Sequence, residues 1–135
     1  MKQKIIVDTS IWIEYFKNND QVVKIIDEGL DMNKIFIVGP VISELLQGVR
    51  STKESELLSQ YIDAVPFISC QIQDWIDAGN TSYSLRKEGT TIPLTDIIIA
   101  TIAKNNQAMV FTKDKHFNVI SGVKQYEKEQ GLKKK

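Results

Sequence analysis

Short apolar runs separated by helical patterns restrict the fold of this chain more than any other feature. Continuous apolar runs at 5–7, 35–38 and 108–112 have the composition of buried strands. The segments between them place apolar residues at helical spacing. Strands that alternate with helices pair in parallel and need helices on both faces of the sheet. The pattern therefore predicts an α/β fold, a three-layer α/β/α sandwich around a central parallel sheet.

The helical segments differ in how deeply they should be buried. The segment at 94–103 is apolar nearly all round, which predicts a deeply buried helix. A short strand or extended link is expected at 65–68, and Gly79 weakens the periodicity of the longest helix. The remaining helices are expected at 10–16, with Ser10 as its cap, at 21–30, from Pro40 to Val49, from about Thr52, and at about 71–87.

Length and composition favour one soluble domain over residues 1–135, with a basic tail from about residue 130. Hydrophobic residues make up 42% and charged residues 25% of the 135-residue chain, which is ordinary for a globular protein. The 17 basic and 17 acidic residues balance, so net charge identifies no partner. The single cysteine, Cys70, permits no intrachain disulfide, and the longest apolar stretch, 97–103, is too short to span a bilayer. We therefore expect a cytoplasmic protein without membrane contact.

Four acidic residues stand where strands end and helices begin: Asp8, Glu44, Asp96 and Asp114. The carboxyl ends of parallel strands meet at one edge of a sheet, so these four side chains are expected to converge there. Close carboxylates repel at neutral pH, and a divalent cation relieves that repulsion. Oxygen ligands favour Mg²⁺ or Mn²⁺, which activate water and offset charge on a phosphodiester. The sequence therefore predicts metal-dependent phosphodiester hydrolysis.

Each of these acids also has an ordinary structural interpretation. Asp8 precedes a helix and is placed to cap it, Asp96 suits the positive end of a helix, Glu44 suits a solvent-facing helical position, and Asp114 suits a turn. Only their joint position favours a site. Trp12 and Trp75 are expected in the core or at an interface, because neither lies in a basic run.

Four segments, in this order, resemble the PIN-domain superfamily and, within it, the VapC-type toxin ribonucleases of toxin–antitoxin systems. Each is a weak pattern alone, but together they span nearly the whole chain. The segments are Ile6-Val7-Asp8-Thr9-Ser10, Ser43-Glu44-Leu45-Leu46-Gln47-Gly48, Leu94-Thr95-Asp96-Ile97-Ile98-Ile99-Ala100 and Phe111-Thr112-Lys113-Asp114-Lys115-His116-Phe117.

The resemblance implies an endoribonuclease that depends on Mg²⁺ or Mn²⁺. Asp8 and Asp96 match the main metal ligands, Asp114 matches a direct or water-mediated ligand, and Glu44 would bind a second metal or orient the attacking water. Supporting hydrogen bonds are expected from Thr112 in the pocket and from Thr9 or Ser10 to Asp8. Many relatives carry a second aspartate where this chain has His116. A histidine in such a position is more often a surface or partly packed residue, and the alternative is that His116 contacts a phosphate of the substrate.

The resemblance also implies partners. Relatives cut RNA, commonly form homodimers, and are inhibited by a small antitoxin that often inserts a basic residue into the acidic pocket. The aromatic cluster at Trp12, Tyr15 and Phe16 is the expected docking surface. The roles of Arg50 and Arg86, which are either solvated or bound to a phosphate or a partner carboxylate, stay open.

Two alternatives remain. A catalytically silent PIN-like module that acts through a protein or RNA partner keeps the fold, although such modules usually lose acids that this chain retains. A phospho-acceptor receiver domain needs an aspartate at the end of a middle strand. The strand at 35–38 ends instead in Gly39-Pro40, which disfavours that class.

Overall fold

A four-stranded parallel sheet flanked by helices forms the centre of the computed structural model, which describes residues 3–129. The predicted α/β sandwich is confirmed. The elements in chain order are β1 (Lys4–Val7), α1 (Thr9–Phe16), α2 (Asp20–Asp31), β2 (Ile35–Val38), α3 (Gly39–Gln47), α4 (Thr52–Asp63), β3 (Phe67–Ile68), α5 (Ile72–Lys87), α6 (Leu94–Asn105), β4 (Ala108–Phe111), a 3₁₀ turn (Lys115–Val119) and α7 (Tyr126–Glu129).

The strand order β3-β2-β1-β4 places β1 in the interior of the sheet. Ile5 pairs with Ile35 on one side and with Met109 on the other. At the carboxyl end of β1, Val7 pairs with Phe111 of β4. This register brings Asp8 and Thr112, the residues that follow those two strands, to the same edge of the sheet.

Local side-chain chemistry explains where several helices begin. Asn19 caps α2 by accepting a hydrogen bond from the Val22 backbone N–H at 3.2 Å, and Ser51 caps α4 by accepting one from Glu54 at 3.1 Å. Pro40 occupies the first turn of α3, where its missing N–H costs nothing. One predicted cap is wrong: α1 begins at Thr9, so Asp8 and not Ser10 holds the N-cap position.

The core lies between the sheet and the helices, and it includes α6 almost entirely. Every residue from Asp96 to Ala103 is buried, as its unbroken apolar pattern predicts. The two tryptophans differ: Trp12 is 1% exposed, whereas Trp75 on α5 is 52% exposed. The prediction that Trp12 contributes to a docking surface is therefore wrong, because its side chain is buried in the core and cannot contact a partner. Phe16, which stacks beside it, remains accessible.

No helix within residues 3–129 is both long enough and apolar enough to cross a bilayer. The lysine-rich tail expected from about residue 130 lies outside the described residues.

Candidate active site

Asp8 lies buried at the junction of β1 and α1, where its backbone N–H donates to the Phe111 carbonyl at 2.9 Å. Asp8 holds the N-cap position of α1, but its side chain makes no capping hydrogen bond, so the carboxylate does not act as a helix cap. Its Oδ2 instead accepts hydrogen bonds from Ser10 Oγ at 3.0 Å and Thr112 Oγ1 at 2.7 Å. Two hydroxyl donors therefore orient this carboxylate at the edge of the sheet.

The segment after β4 is connected to Asp8 through the same hydroxyls. Thr112 Oγ1 accepts a hydrogen bond from the Asp114 backbone N–H at 2.9 Å, and Ser10 Oγ accepts one from Lys113 at 3.1 Å. Asp114 Oδ1 accepts the His116 backbone N–H at 2.9 Å and so caps the 3₁₀ turn. The turn interpretation of Asp114 is thus correct, and the turn holds this carboxylate beside the pocket.

Asp96, in the first turn of α6, completes a compact group with Asp114 and His116. His116 Nδ1 lies 2.7 Å from Asp96 Oδ2 and 3.0 Å from Asp114 Oδ1. One possible ligand atom from each of the three residues falls within 4.8 Å of the others. This spacing is compatible with a single metal ion held by all three side chains.

The electrostatics of this group reflect crowded negative charge. Burial raises the pKa of Asp96, the hydrogen bond from His116 opposes that shift, and the charges of Asp114 and Asp8 raise it further. The hydrogen bond to Asp96 in turn raises the pKa of His116, against a smaller opposing effect of desolvation. The charges of Asp8 and Asp114 thus both act on Asp96, so the three carboxylates are close enough to interact electrostatically.

Glu44 lies on α3 and is more loosely associated with this group. It is half-buried, and its Oε1 accepts a hydrogen bond from Thr9 Oγ1 at 2.6 Å. Thr9 therefore supports Glu44, whereas Ser10 supports Asp8. Glu44 also lines an open cleft of about 670 Å³ together with Phe67, Trp75 and Thr95, the neighbour of Asp96. The structure thus brings Asp8, Asp96 and Asp114 together and places Glu44 in the cleft beside them.

His116 is the site residue that sequence reasoning undervalued. Its position two residues after Asp114 in a turn is the signal that points to it, because such a turn folds the ring back over the carboxylate. Among the ion pairs of residues 3–129, it supplies the only basic group that reaches these acids. Arg50 and Arg86 are exposed and take no part in those pairs.

The donor set fits a divalent cation. Three carboxylates share the pocket with one imidazole, so the protein itself supplies less positive charge than negative charge there. Carboxylate oxygens are the ligands that hard ions such as Mg²⁺ and Mn²⁺ prefer, and an imidazole nitrogen is compatible with the second of these.

Comparison with known proteins places this arrangement in context. The sequence matches the family model described as the PIN domain over residues 5–123. Ribonuclease VapC11 of Mycobacterium tuberculosis (strain H37Rv) is 26% identical over 126 residues, which cover 88% of this chain and 92% of that protein.

Two solved structures are similar in fold. The DNA-bound VapBC structure from Salmonella typhimurium aligns with a TM-score of 0.79 at 21% identity, over 93% of this chain and 98% of that chain. The structure of VapBC2 from Rickettsia felis, bound to a fragment of promoter DNA, aligns with a TM-score of 0.77 at 22% identity, over 92% and 98%. The family model confirms the resemblance to the PIN-domain superfamily that the four sequence segments predict.

Proposed function

Because this chain belongs to the PIN domain family, we propose that it is a metal-dependent endoribonuclease and the toxin of a toxin–antitoxin pair. The observation that carries the proposal is the mutual reach of Asp96, Asp114 and His116, within 4.8 Å, beside the buried carboxylate of Asp8. Its substrate is RNA, and its place of action is the cytoplasm.

In this proposal Asp8, Asp96 and Asp114 hold a Mg²⁺ or Mn²⁺ ion. When bound, such an ion neutralises charge on the scissile phosphate and lowers the pKa of water. The protein contributes geometry: Ser10 and Thr112 fix the Asp8 carboxylate, and the turn after β4 fixes Asp114. This preorganisation favours attack because the ligands need not reorganise when the phosphate enters.

Glu44 orients the attacking water or binds a second ion. Thr9 fixes one of its carboxylate oxygens from the first turn of α1. The open cleft beside Glu44 gives a single-stranded segment of RNA access to the acidic group.

The proposal is tested by cleavage of a structured RNA by the purified chain. We expect cutting in Mg²⁺ or Mn²⁺, none in excess EDTA, and a loss of at least about 1,000-fold in Asp8→Asn, since that variant removes the charge of a main metal ligand. Asp31→Asn changes an exposed acid at the end of α2 and is the matched control. Equal activity of Asp8→Asn and Asp31→Asn would exclude the metal-dependent mechanism, whereas the absence of calorimetric Mn²⁺ binding at millimolar concentration would favour a silent binding module.

The antitoxin is assigned to a second groove, formed by α1, α3 and α4. This groove has a volume of about 670 Å³, and Ile13, Phe16, Leu57 and Tyr61 contribute apolar surface to it. Glu44 lines the same groove, so an antitoxin helix bound there reaches the acidic pocket with a basic side chain.

The docking site is tested by sequencing the gene's neighbourhood for a short upstream reading frame and co-purifying its product with this chain. Leu57→Asp places a charge in the groove and should reduce the affinity at least about 30-fold, because the carboxylate is desolvated without a partner. Ile76→Asp, on α5, is the control with similar exposure. Equal affinity of the two variants would move the docking site elsewhere.

A further inference from the structure

Two exposed aromatic side chains line the open cleft that contains Glu44. Phe67 lies on the edge strand β3 and is 54% exposed, and Trp75 lies in the first turn of α5 and is 52% exposed. Neither ring stacks on another aromatic ring within residues 3–129. Exposed apolar surface that is gathered in a concave site is typical of a ligand-binding surface. We call this opening, defined by Glu44, Phe67 and Trp75, the aromatic cleft.

Polar side chains with free hydrogen-bonding groups line the same cleft. Ser43 and Gln47 lie four residues apart on α3, and thus on one face of that helix, while Thr95 precedes Asp96 on α6. In the described part of the chain, the side chains of Ser43, Gln47 and Thr95 have no hydrogen-bond partner. Gln47 therefore still offers both an amide donor and a carbonyl acceptor to a ligand.

The charge of the aromatic cleft selects against a phosphate as its occupant. The described residues that line it include no lysine or arginine, and Glu44 is their one carboxylate. A phosphate would meet that carboxylate with no basic side chain to offset the repulsion. An uncharged planar group with apolar faces and polar edges suits aromatic rings beside free amide and hydroxyl groups. An unpaired nucleobase is such a group.

We propose that the aromatic cleft binds one unpaired adenine of the RNA substrate, which stacks on Trp75 and Phe67 and hydrogen-bonds to Gln47. This inference rests on the proposed ribonuclease function and adds to it a source of sequence preference. Adenine is the base assigned because a glutamine amide matches its N6 and N7 with two hydrogen bonds. Its two-ring system also has a larger face for stacking than a pyrimidine has.

The cleft lies directly beside the acidic group. Thr95 lines the cleft, and the next residue, Asp96, belongs to the group that Asp114 and His116 complete. Consecutive Cα atoms are about 3.8 Å apart. A base held in the cleft therefore belongs to a nucleotide close to the scissile phosphate, so stacking there positions that phosphate as well as selecting the base.

Affinity for single-stranded oligoribonucleotides of about six residues, measured in excess EDTA, tests the stacking. Cleavage is not expected in EDTA, so binding is measured apart from the metal-dependent reaction. Trp75→Leu should raise the dissociation constant for oligo(A) by about 10-fold or more, because stacking contributes strongly to single-strand binding, and Trp75→Tyr should retain most of the affinity. Tyr83→Leu is the matched control, since Tyr83 is a 56% exposed aromatic residue of α5 that does not line the cleft.

A base-free oligomer distinguishes the base from the backbone. A sugar–phosphate chain of the same length and charge should bind wild type about 10-fold more weakly than oligo(A) does. In Trp75→Leu this difference should shrink at least about fivefold, which measures the coupling between ring and base. Equal weakening of both ligands by Trp75→Leu would show that the ring contacts no base and would overturn the proposal.

Gln47→Leu tests the assignment of adenine. The affinity for oligo(A) should fall about 10-fold, whereas the affinity for oligo(U) should stay at the wild-type value because uracil lacks the N6 and N7 pair. Gln21→Leu, at an exposed glutamine of α2, is the control and should change neither affinity. An equal loss for both oligomers in Gln47→Leu would reject adenine as the preferred base.

Two further results separate this proposal from its competitors. A chain that does not cut RNA in Mn²⁺ but shows the base-dependent effect of Trp75→Leu would lack the proposed activity and keep the base site. A chain that cuts RNA but binds oligo(A) equally in wild type and Trp75→Leu would lack the base site. A sedimentation mass that changes in Trp75→Leu, together with unchanged affinity for RNA, would assign this face to a second copy of the chain and overturn the inference.

Discussion

Replacing Thr112 with valine isolates the hydroxyl that joins the two strand ends of the site. Thr112 Oγ1 donates to Asp8 Oδ2 at 2.7 Å and accepts from the Asp114 backbone N–H at 2.9 Å. Valine keeps the shape of the side chain and removes both hydrogen bonds. The substitution therefore changes the support of two acids without changing either acid.

The expected effect follows from those two bonds. A hydrogen bond to a charged group contributes about 1.5–3 kcal/mol, and an ordinary one about 1 kcal/mol. The two bonds together contribute about 2.5–4 kcal/mol, and because Ser10 still donates to Asp8 we expect the free energy of unfolding to fall by roughly 2.5–3 kcal/mol, the lower part of that range. Loss of a group that orients a metal ligand typically costs about 10–100-fold in metal affinity.

Thr101→Val is the matched control. Thr101 and Thr112 are 5% and 3% exposed, and the substitution is the same. Thr101 Oγ1 donates to the Ile97 carbonyl within α6, one turn earlier, and its loss leaves no buried charge without a donor. Urea unfolding should therefore show a change below about 1 kcal/mol for Thr101→Val.

Calorimetric titration with Mn²⁺ supplies the second measurement. Affinity should fall in Thr112→Val and stay at the wild-type value in Thr101→Val. Equal stability losses in the two variants, together with equal Mn²⁺ affinities, would refute the view that the Thr112 hydroxyl organises the site.

Three further predictions concern titration and metal binding. In the metal-free protein, NMR should show the single histidine, His116, titrating with a pKa above the ordinary value of 6.5, because Asp96 stabilises its charged form. The free energy of unfolding, compared with that of His116→Gln, should then decline as the pH rises through this folded-state pKa. An unshifted titration would contradict the ion pair. Mn²⁺ at about 100 times its dissociation constant should raise the free energy of unfolding by about 2.7 kcal/mol in wild type and by much less in Asp96→Asn; an equal gain in both places the ion elsewhere. Alkylation of Cys70 should be slower at pH 7.5 than that of a free cysteine and should recover at higher pH, because burial, with help from Asp74, raises the thiol pKa; a rate equal to that of the free amino acid contradicts this.

Local sequence patterns were sufficient to predict the elements of the fold. The run at 35–38 forms β2 over the same residues, and the apolar segment at 94–103 forms the buried α6. These predictions succeed because burial on both faces of a strand, or all round a helix, requires consecutive apolar residues. The predicted cap of α1 was wrong because the helix already begins at Thr9, which places Ser10 within its first turn, where the hydroxyl donates to Asp8.

Contacts between distant segments were beyond the reach of such patterns. Thr9 could be associated with the acids, but its preference for Glu44 over Asp8 depends on how α1 lies against α3. His116 was undervalued because its ring reaches Asp96 only when the turn after β4 lies against α6. Trp12 and Trp75 have the same chemistry, and only packing distinguishes the buried ring from the exposed one.

The amino-acid sequence by itself determined the parallel α/β architecture and the placement of acids at the ends of strands, because both depend on runs of consecutive residues. The tertiary structure alone decided which hydroxyl supports which carboxylate, that His116 joins Asp96 and Asp114, and that Trp75 on α5 faces solvent while Trp12 is buried. These features depend on distances between segments up to 104 residues apart, as between Thr112 and Asp8, and such distances exist only after the chain has packed.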